Sequence, residues 1–192
     1  MSYEFRLLNA EMLATTKTAW QKQLAAAPEL GSWTAYEVWF DFFERDIVGT
    51  DGHMNGGPIA RGDFKGGIYG VFQGDSLVAL ALANVSRNSG GERALKVMDL
   101  QICPELDFGS VSAADENDDV EDIIVKLSWV AATAITGALE LSYEPPHCRK
   151  IKIYGDVPLT REFLTAIATA LSTDAKFHVK SEGRWMVVEK KE

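Results

Sequence analysis

The segment between Leu95 and Asp156 leaves few ways to fold. It reads as an apolar strand, "LKVMDLQICPEL" (95–106), stopped at Pro104; a helix, "VEDIIVKLSWVAATAITGALELS" (120–142), broken by "YEPPH"; and a second strand, "CRKIKIYGD" (148–156). The first strand is largely apolar, as expected of a strand covered on both faces. In the helix, Val120, Ile123, Ile124, Leu127, Val130, Ala131, Ala134, Ile135 and Ala138 recur at three- and four-residue steps and make a broad apolar face, so the helix is expected to be mostly buried. A strand, a covering helix and a second strand make a crossover, and a crossover requires parallel strands.

The rest of the chain fits around that unit. "YEFRLLNA" reads as a short first strand with Phe5 and Leu7 on one face. A helix follows with Met12, Leu13, Thr16, Trp20 and Leu24 at helical spacing, Asn9 as its N-cap, and Pro28 and Gly31 ending it. Ser32 is placed to cap a second helix, "WTAYEVWFDFFERDIV", whose Trp33, Tyr36, Trp39, Phe40 and Phe43 form an aromatic stripe best read as core. If part of that stripe were exposed, it would offer a homodimer contact. From residue 67 the period falls to two: "GIYGVFQGDSLVALALANVS" is a hairpin turning at Gln73-Gly74-Asp75. After the crossover, "PLTREFLTAIATALSTD" is expected to be helical, with Thr160 or Asp156 near its cap. "KFHVKSEGRWMVVEKK" closes as a hairpin turning at Glu182-Gly183. One domain spanning 1–192 is expected, with no repeats and no linker.

Charge and composition narrow the partners. Nineteen basic against twenty-eight acidic residues give a net charge of -9. That argues against nucleic acid, whose phosphates need a basic face, and against an anionic membrane surface. With 46% hydrophobic residues a core forms without staples. Cys103 and Cys148 sit in no CxxC and read as reduced thiols in or beside strands, although sequence leaves a disulfide between them open. The N-terminus lacks the apolar run of a signal peptide, and no stretch is expected to span a membrane, so a cytoplasmic location is expected.

Two loops draw attention. Residues 49–67, "GTDGHMNGGPIARGDFKGG", hold seven glycines in nineteen positions. There is no GxxxxGK[ST] here, so the stretch reads as a mobile surface loop or as a wall of a substrate site. The other is acidic, 105–119. Asp115, Glu116, Asp118, Asp119, Glu121 and Asp122 put six carboxylates into eight positions at the start of the long helix. Unpaired N–H groups and partial positive charge make a helix N-terminus a natural phosphate cradle, and here carboxylates compete for it. A solvated acidic loop whose last residues cap the helix is the plainer reading. His53, His147 and His178 show no metal-ligating spacing, and "DENDD" lacks the full calcium-loop pattern, so no metal is expected. His147 and Cys148, adjacent on a strand, face opposite ways and make a poor catalytic pair.

The order strand, helix, helix, three strands, helix, strand, helix, hairpin resembles the GNAT superfamily of N-acyltransferases over nearly the whole chain. "FRLLNAEML", "LQICPEL" and "EGRWMVVEKK" look like that family's opening, the end of its fourth strand and its closing hairpin. The resemblance implies an α/β fold with a single mixed, mostly antiparallel sheet and helices on both faces. It implies acetyl-CoA or another acyl-CoA as co-substrate, held where the fourth and fifth strands splay apart. The thioester would lie against Leu100, Gln101, Ile102 and Cys103, and the acceptor would be a small-molecule or peptide amine. Two departures stand out. The family's basic, glycine-rich R/Q-x-x-G-x-G/A loop is absent: between Pro104 and Val120 there is one glycine, Gly109, and no Arg or Lys. The early Tyr of the last helix is replaced by Phe163, leaving Tyr154 as the nearest candidate acid. Asp99, or a water polarised by it, is the candidate base, since an aspartate within an apolar strand would have a raised pKa; the plainer reading is that Asp99 bonds a neighbouring strand's side chain or backbone. Tyr36, Asp51 and His53 are candidates to contact the acceptor. The alternative is a relative that keeps the fold as a binding or interaction module and has lost acetyl-CoA.

Overall fold

The computed structural model describes residues 2–28, 31–46, 66–87, 91–106, 118–143, 147–154 and 177–191. Within them the order is β1 (Tyr3–Leu7), α1 (Ala10–Ala26), α2 (Trp33–Asp46), β2 (Gly67–Gln73), β3 (Ser76–Arg87), β4 (Arg93–Ile102), a 3-10 turn (Pro104–Leu106), α3 (Asp118–Leu141), β5 (Lys150–Tyr154), β6 (Phe177–Glu182) and β7 (Trp185–Lys190). Seven strands form one sheet in the order β1-β2-β3-β4-β5-β7-β6. Every pair is antiparallel except β4 and β5, which run parallel on either side of α3. The crossover read from sequence is therefore in place. The glycine-rich stretch 49–65, the centre of the acidic loop (107–117) and the expected last helix lie outside the described residues.

Local chemistry sets the element ends. The Asn9 side chain accepts a hydrogen bond from the Met12 N–H at 2.8 Å, satisfying one of the orphan donors at the start of α1. Ser32 Oγ accepts from the Thr34 N–H at 3.3 Å and caps α2. Both hairpins close through two-residue loops, Gly74-Asp75 and Gly183-Arg184. Each begins with a glycine at positive φ, +60° and +64°, which suits the right-handed twist of the strands.

Sheet alternation shows which helix covers which face. Ile68 and its cross-strand partner Leu82 join the cluster formed with Leu13 and Trp20 of α1 and Phe40 of α2. Tyr69 and its partner Ala81, one residue along, join Ile135 and Ala138 of α3. Successive strand residues face opposite sides, so α1 and α2 lie on one face and α3 on the other. The aromatic stripe of α2 is core: Tyr36, Phe40 and Phe43 are buried, and the Trp20 ring meets Tyr36 and Phe40 edge-on at 5.8 and 5.4 Å. The buried Trp20 Nε1–H donates to the Leu77 carbonyl at 3.2 Å.

Two expectations about α3 need correction. Ile124 lines up with Ala131 and Ile135 around the helix axis, yet it is 48% exposed. Full burial in the described part of α3 begins only at Val130, so distance along the axis and not angle exposes Ile124. In addition, Asp122–Leu141 is long and apolar enough, by length and composition, to cross a membrane. A core helix meets the same criteria, and Val130, Ala134 and Ala138 of α3 are buried in the two sheet-face clusters.

Candidate active site in the β4–β5 notch

Pairing between β4 and β5 is brief. It covers Ala94 to Val97 against Lys150 to Ile153 and then stops. β4 continues to Ile102, still paired with β3 on its other side, so from Met98 onward no strand among the described residues lies beside its β5-facing edge. A β-bulge sits where the two strands part. Leu82 pairs with Met98 and Leu80 with Gln101, so Asp99 and Leu100 together oppose Ala81. An extra residue bends a strand and raises its local twist, which carries the end of β4 away from β5. The result is a notch at the C-terminal ends of two parallel strands.

The backbone of the notch can be assigned. The Cys103 N–H donates to the Val78 carbonyl at 2.9 Å. Backbone groups in an antiparallel ladder alternate sides, so those of Ile102 point away from β3 and into the notch. There the Gln101 side chain donates to the Ile102 carbonyl at 3.4 Å. Of the four positions expected to face a thioester, Ile102 thus offers its backbone, Gln101 reaches its neighbour through its side chain, and Leu100 packs against both core clusters. Cys103 has its N–H engaged with β3. Burial pushes its thiol up to about 12, which keeps it protonated and unreactive. Both cysteines are free and buried.

Tyr154 ends β5 at the mouth of the notch. Its hydroxyl oxygen accepts from Arg184 Nη1 at 3.1 Å, and its ring lies 4.9 Å from that of Trp185. The β6–β7 turn, which supplies Arg184, closes the same end of the sheet. Asp99 belongs to the bulge, although its side chain is outside the described residues. Tyr36 is 3% exposed and packed between Trp20 and Trp33, inside the α1/α2 core. Asp51 and His53 fall outside the described residues. Among the described residues, no group of His, Cys, Asp and Glu is arranged to hold a metal. His147 adopts a left-handed φ of +46° and is exposed while Cys148 is buried, so the two do not form a pair.

Sequence reasoning missed the bulge and a row of lysines beside it. Lys96, Lys150 and Lys152 project from the face of the sheet opposite α3, because Leu95, Val97, Ile151 and Ile153 between them pack with α3. The alternation "KIKIY" was a visible signal for that polar face. The bulge had none, since it exists only in the register between two strands.

No protein-family model matches the chain, and no curated protein does. Solved structures resemble it at low identity. The N-acetyltransferase YlbP of Bacillus subtilis, in complex with coenzyme A, is 12% identical over 99% of this chain and 96% of its own, with a TM-score of 0.44. NAA60 of Arabidopsis thaliana, in complex with acetyl-CoA, is 12% identical over 99% of this chain and 100% of its own, with a TM-score of 0.41. The PaiA N-acetyltransferase of Thermoplasma acidophilum, in complex with coenzyme A, is 14% identical over all of both chains, with a TM-score of 0.37.

Proposed function

We propose that the β4–β5 notch receives the thioester end of an acyl-CoA and that the chain transfers the acyl group to an amine. The carrying observation is that β4 runs on to Ile102 after losing β5 at Val97, which leaves strand-edge backbone groups unpaired by β5 and able to take an extended amide. In the reaction the amine nitrogen attacks the thioester carbonyl. A C–N bond forms, the C–S bond breaks, the amine gives up one proton and the departing thiolate takes one. Asp99 in the bulge would accept the first proton, directly or through water, and Tyr154 would donate the second. The acceptor enters as a small-molecule or peptide amine.

One observation favours the second reading, a GNAT-like module without CoA. Asp118, Asp119, Glu121 and Asp122 all fall within the first five residues of α3, the helix that follows β4. Their charge opposes a pyrophosphate at that helix start, whereas a basic glycine loop would attract one.

Calorimetric titration with acetyl-CoA at low and moderate salt separates the two. Micromolar binding is expected for the transferase, and no detectable heat from folded protein would leave the binding module. In Asp118→Asn/Asp119→Asn, removing two like charges should tighten acetyl-CoA by roughly tenfold. Unchanged affinity would remove the competition argument. Asp99→Asn should abolish transfer and leave acetyl-CoA binding intact, and full retained activity would take Asp99 out of the mechanism.

A further inference from the structure

Beside the notch, on the sheet face opposite α3, lies a groove of 190 Å³ lined by charged side chains, with Lys96, Lys150 and Lys152 on its floor. Lys96 and Lys152 are direct cross-strand partners. Like charges placed so are destabilising unless something offsets them. Two of the three ammonium groups are offset. Lys150 Nζ lies 2.9 Å from Glu92 and 3.4 Å from Glu189, and Lys152 Nζ lies 3.0 Å from Glu182. Lys96 is different. Among the described residues it has no carboxylate partner, and its ammonium stands 5.6 Å from the centre of the Trp185 ring. In a chain carrying a net charge of -9, this leaves a local cation at the middle of a concave, half-buried floor.

We infer that the groove binds the carboxylate of the acceptor on Lys96, so that the acceptor is a small amino-acid-like molecule carrying a carboxylate as well as its amine. This rests on the transferase reading of the notch. The placement fits. Lys96 stands two residues before Met98, where β4 parts from β5, and at about 3.3 Å per residue that is roughly 7 Å along the strand. A carboxylate held there leaves an amine a few bonds away to reach the notch. The size fits too: liquid water occupies about 30 Å³ per molecule, so the groove has room for roughly six waters or one small amino acid. Charge selects against phosphate. Lys150 and Lys152 are already paired with carboxylates, so the groove offers one cation, Lys96, which matches the single charge of a carboxylate better than a dianion.

The test uses the full chain without any acyl-CoA. The indole N–H signal of Trp185, assigned by its loss in Trp185→Phe, is followed by NMR during titration with L-glutamate, 4-aminobutyrate or inorganic phosphate. A saturable shift with either amino acid is expected. Lys96→Met should weaken it at least tenfold with Tm unchanged, and Lys96→Arg should restore it. No saturable shift with either amino acid, equal affinity in Lys96→Met, or a response to phosphate alone would overturn the inference. Since no acyl-CoA is present, failure here is separate from failure of the transferase reading, which the acetyl-CoA titration decides.

Discussion

The two halves of the sheet are built by different rules. β2 is buried at six consecutive positions, with helices over both of its faces. β5 alternates, Ile151 and Ile153 buried under α3 and Lys150 and Lys152 half-exposed on the opposite side. The first half therefore stands on interlocked aromatic and aliphatic packing. β5 in the second stands on one packed face, a hydrogen-bonded ladder and a row of ion pairs, while its neighbour β7 is buried from Met186 to Val188. The notch lies where the two meet. Such a seam gives chemistry a rigid wall on one side and a charged, accessible floor on the other.

Substitutions in the two halves should differ in the size of their effects. The largest effect is expected in the packed half. Trp20→Ala removes a buried indole and leaves the Leu77 carbonyl without its donor, so chemical denaturation should show a loss of about 3–5 kcal/mol. A loss under about 1 kcal/mol would mean that this aromatic packing does not hold the first half together. Next comes the contact between α3 and β1. A Cβ at Gly137 of α3 would strike the Phe5 ring, which packs against both core clusters. Gly137→Val should cost about 1–3 kcal/mol by overpacking, with Phe5→Ala partly rescuing the double variant. A smaller change is expected at the edge of the packed half, where Asn9→Ala should cost about 1 kcal/mol by uncapping α1.

The smallest effect belongs to the charged half. Hydrogen bonds from Lys180 and then Lys152 hold the Glu182 carboxyl down at about 2, below its ordinary value. A carboxyl depressed on folding contributes stability that is complete above its unfolded pKa and lost as pH falls through the folded one. The contribution should therefore fade between about pH 5 and pH 2, and Glu182→Gln should flatten that limb of Tm against pH slightly, because the pair is exposed. A steep change would mean that ion pairs carry this half more than its exposure suggests.

Much of the fold was legible because its signals are local. The crossover needed only an apolar strand, a helix with a broad apolar face and a second strand. Gly74 and Gly183 announced their turns, and Asn9 and Ser32 their helices. The site was less legible because its parts depend on register. Nothing in "MDLQI" says that Asp99 and Leu100 share one partner, and Lys96 meets Lys152 only because β4 pairs with β5 in that alignment. Tyr36 shows the reverse problem. A tyrosine on an aromatic helix carries a polar tip that suggests a ligand contact, and only packing tells that the ring belongs to the core.

The strand order also bears on synthesis. β7 follows β6 in the chain yet lies between β5 and β6 in the sheet, with Val187 and Val188 fully buried. While the ribosome is still making residues before Trp185, β5, which carries Ile151 and Ile153, lacks its β7 neighbour and is an edge open to pairing with another nascent chain. The seven-stranded sheet is completed only when its penultimate position is filled by β7, which is made after β6.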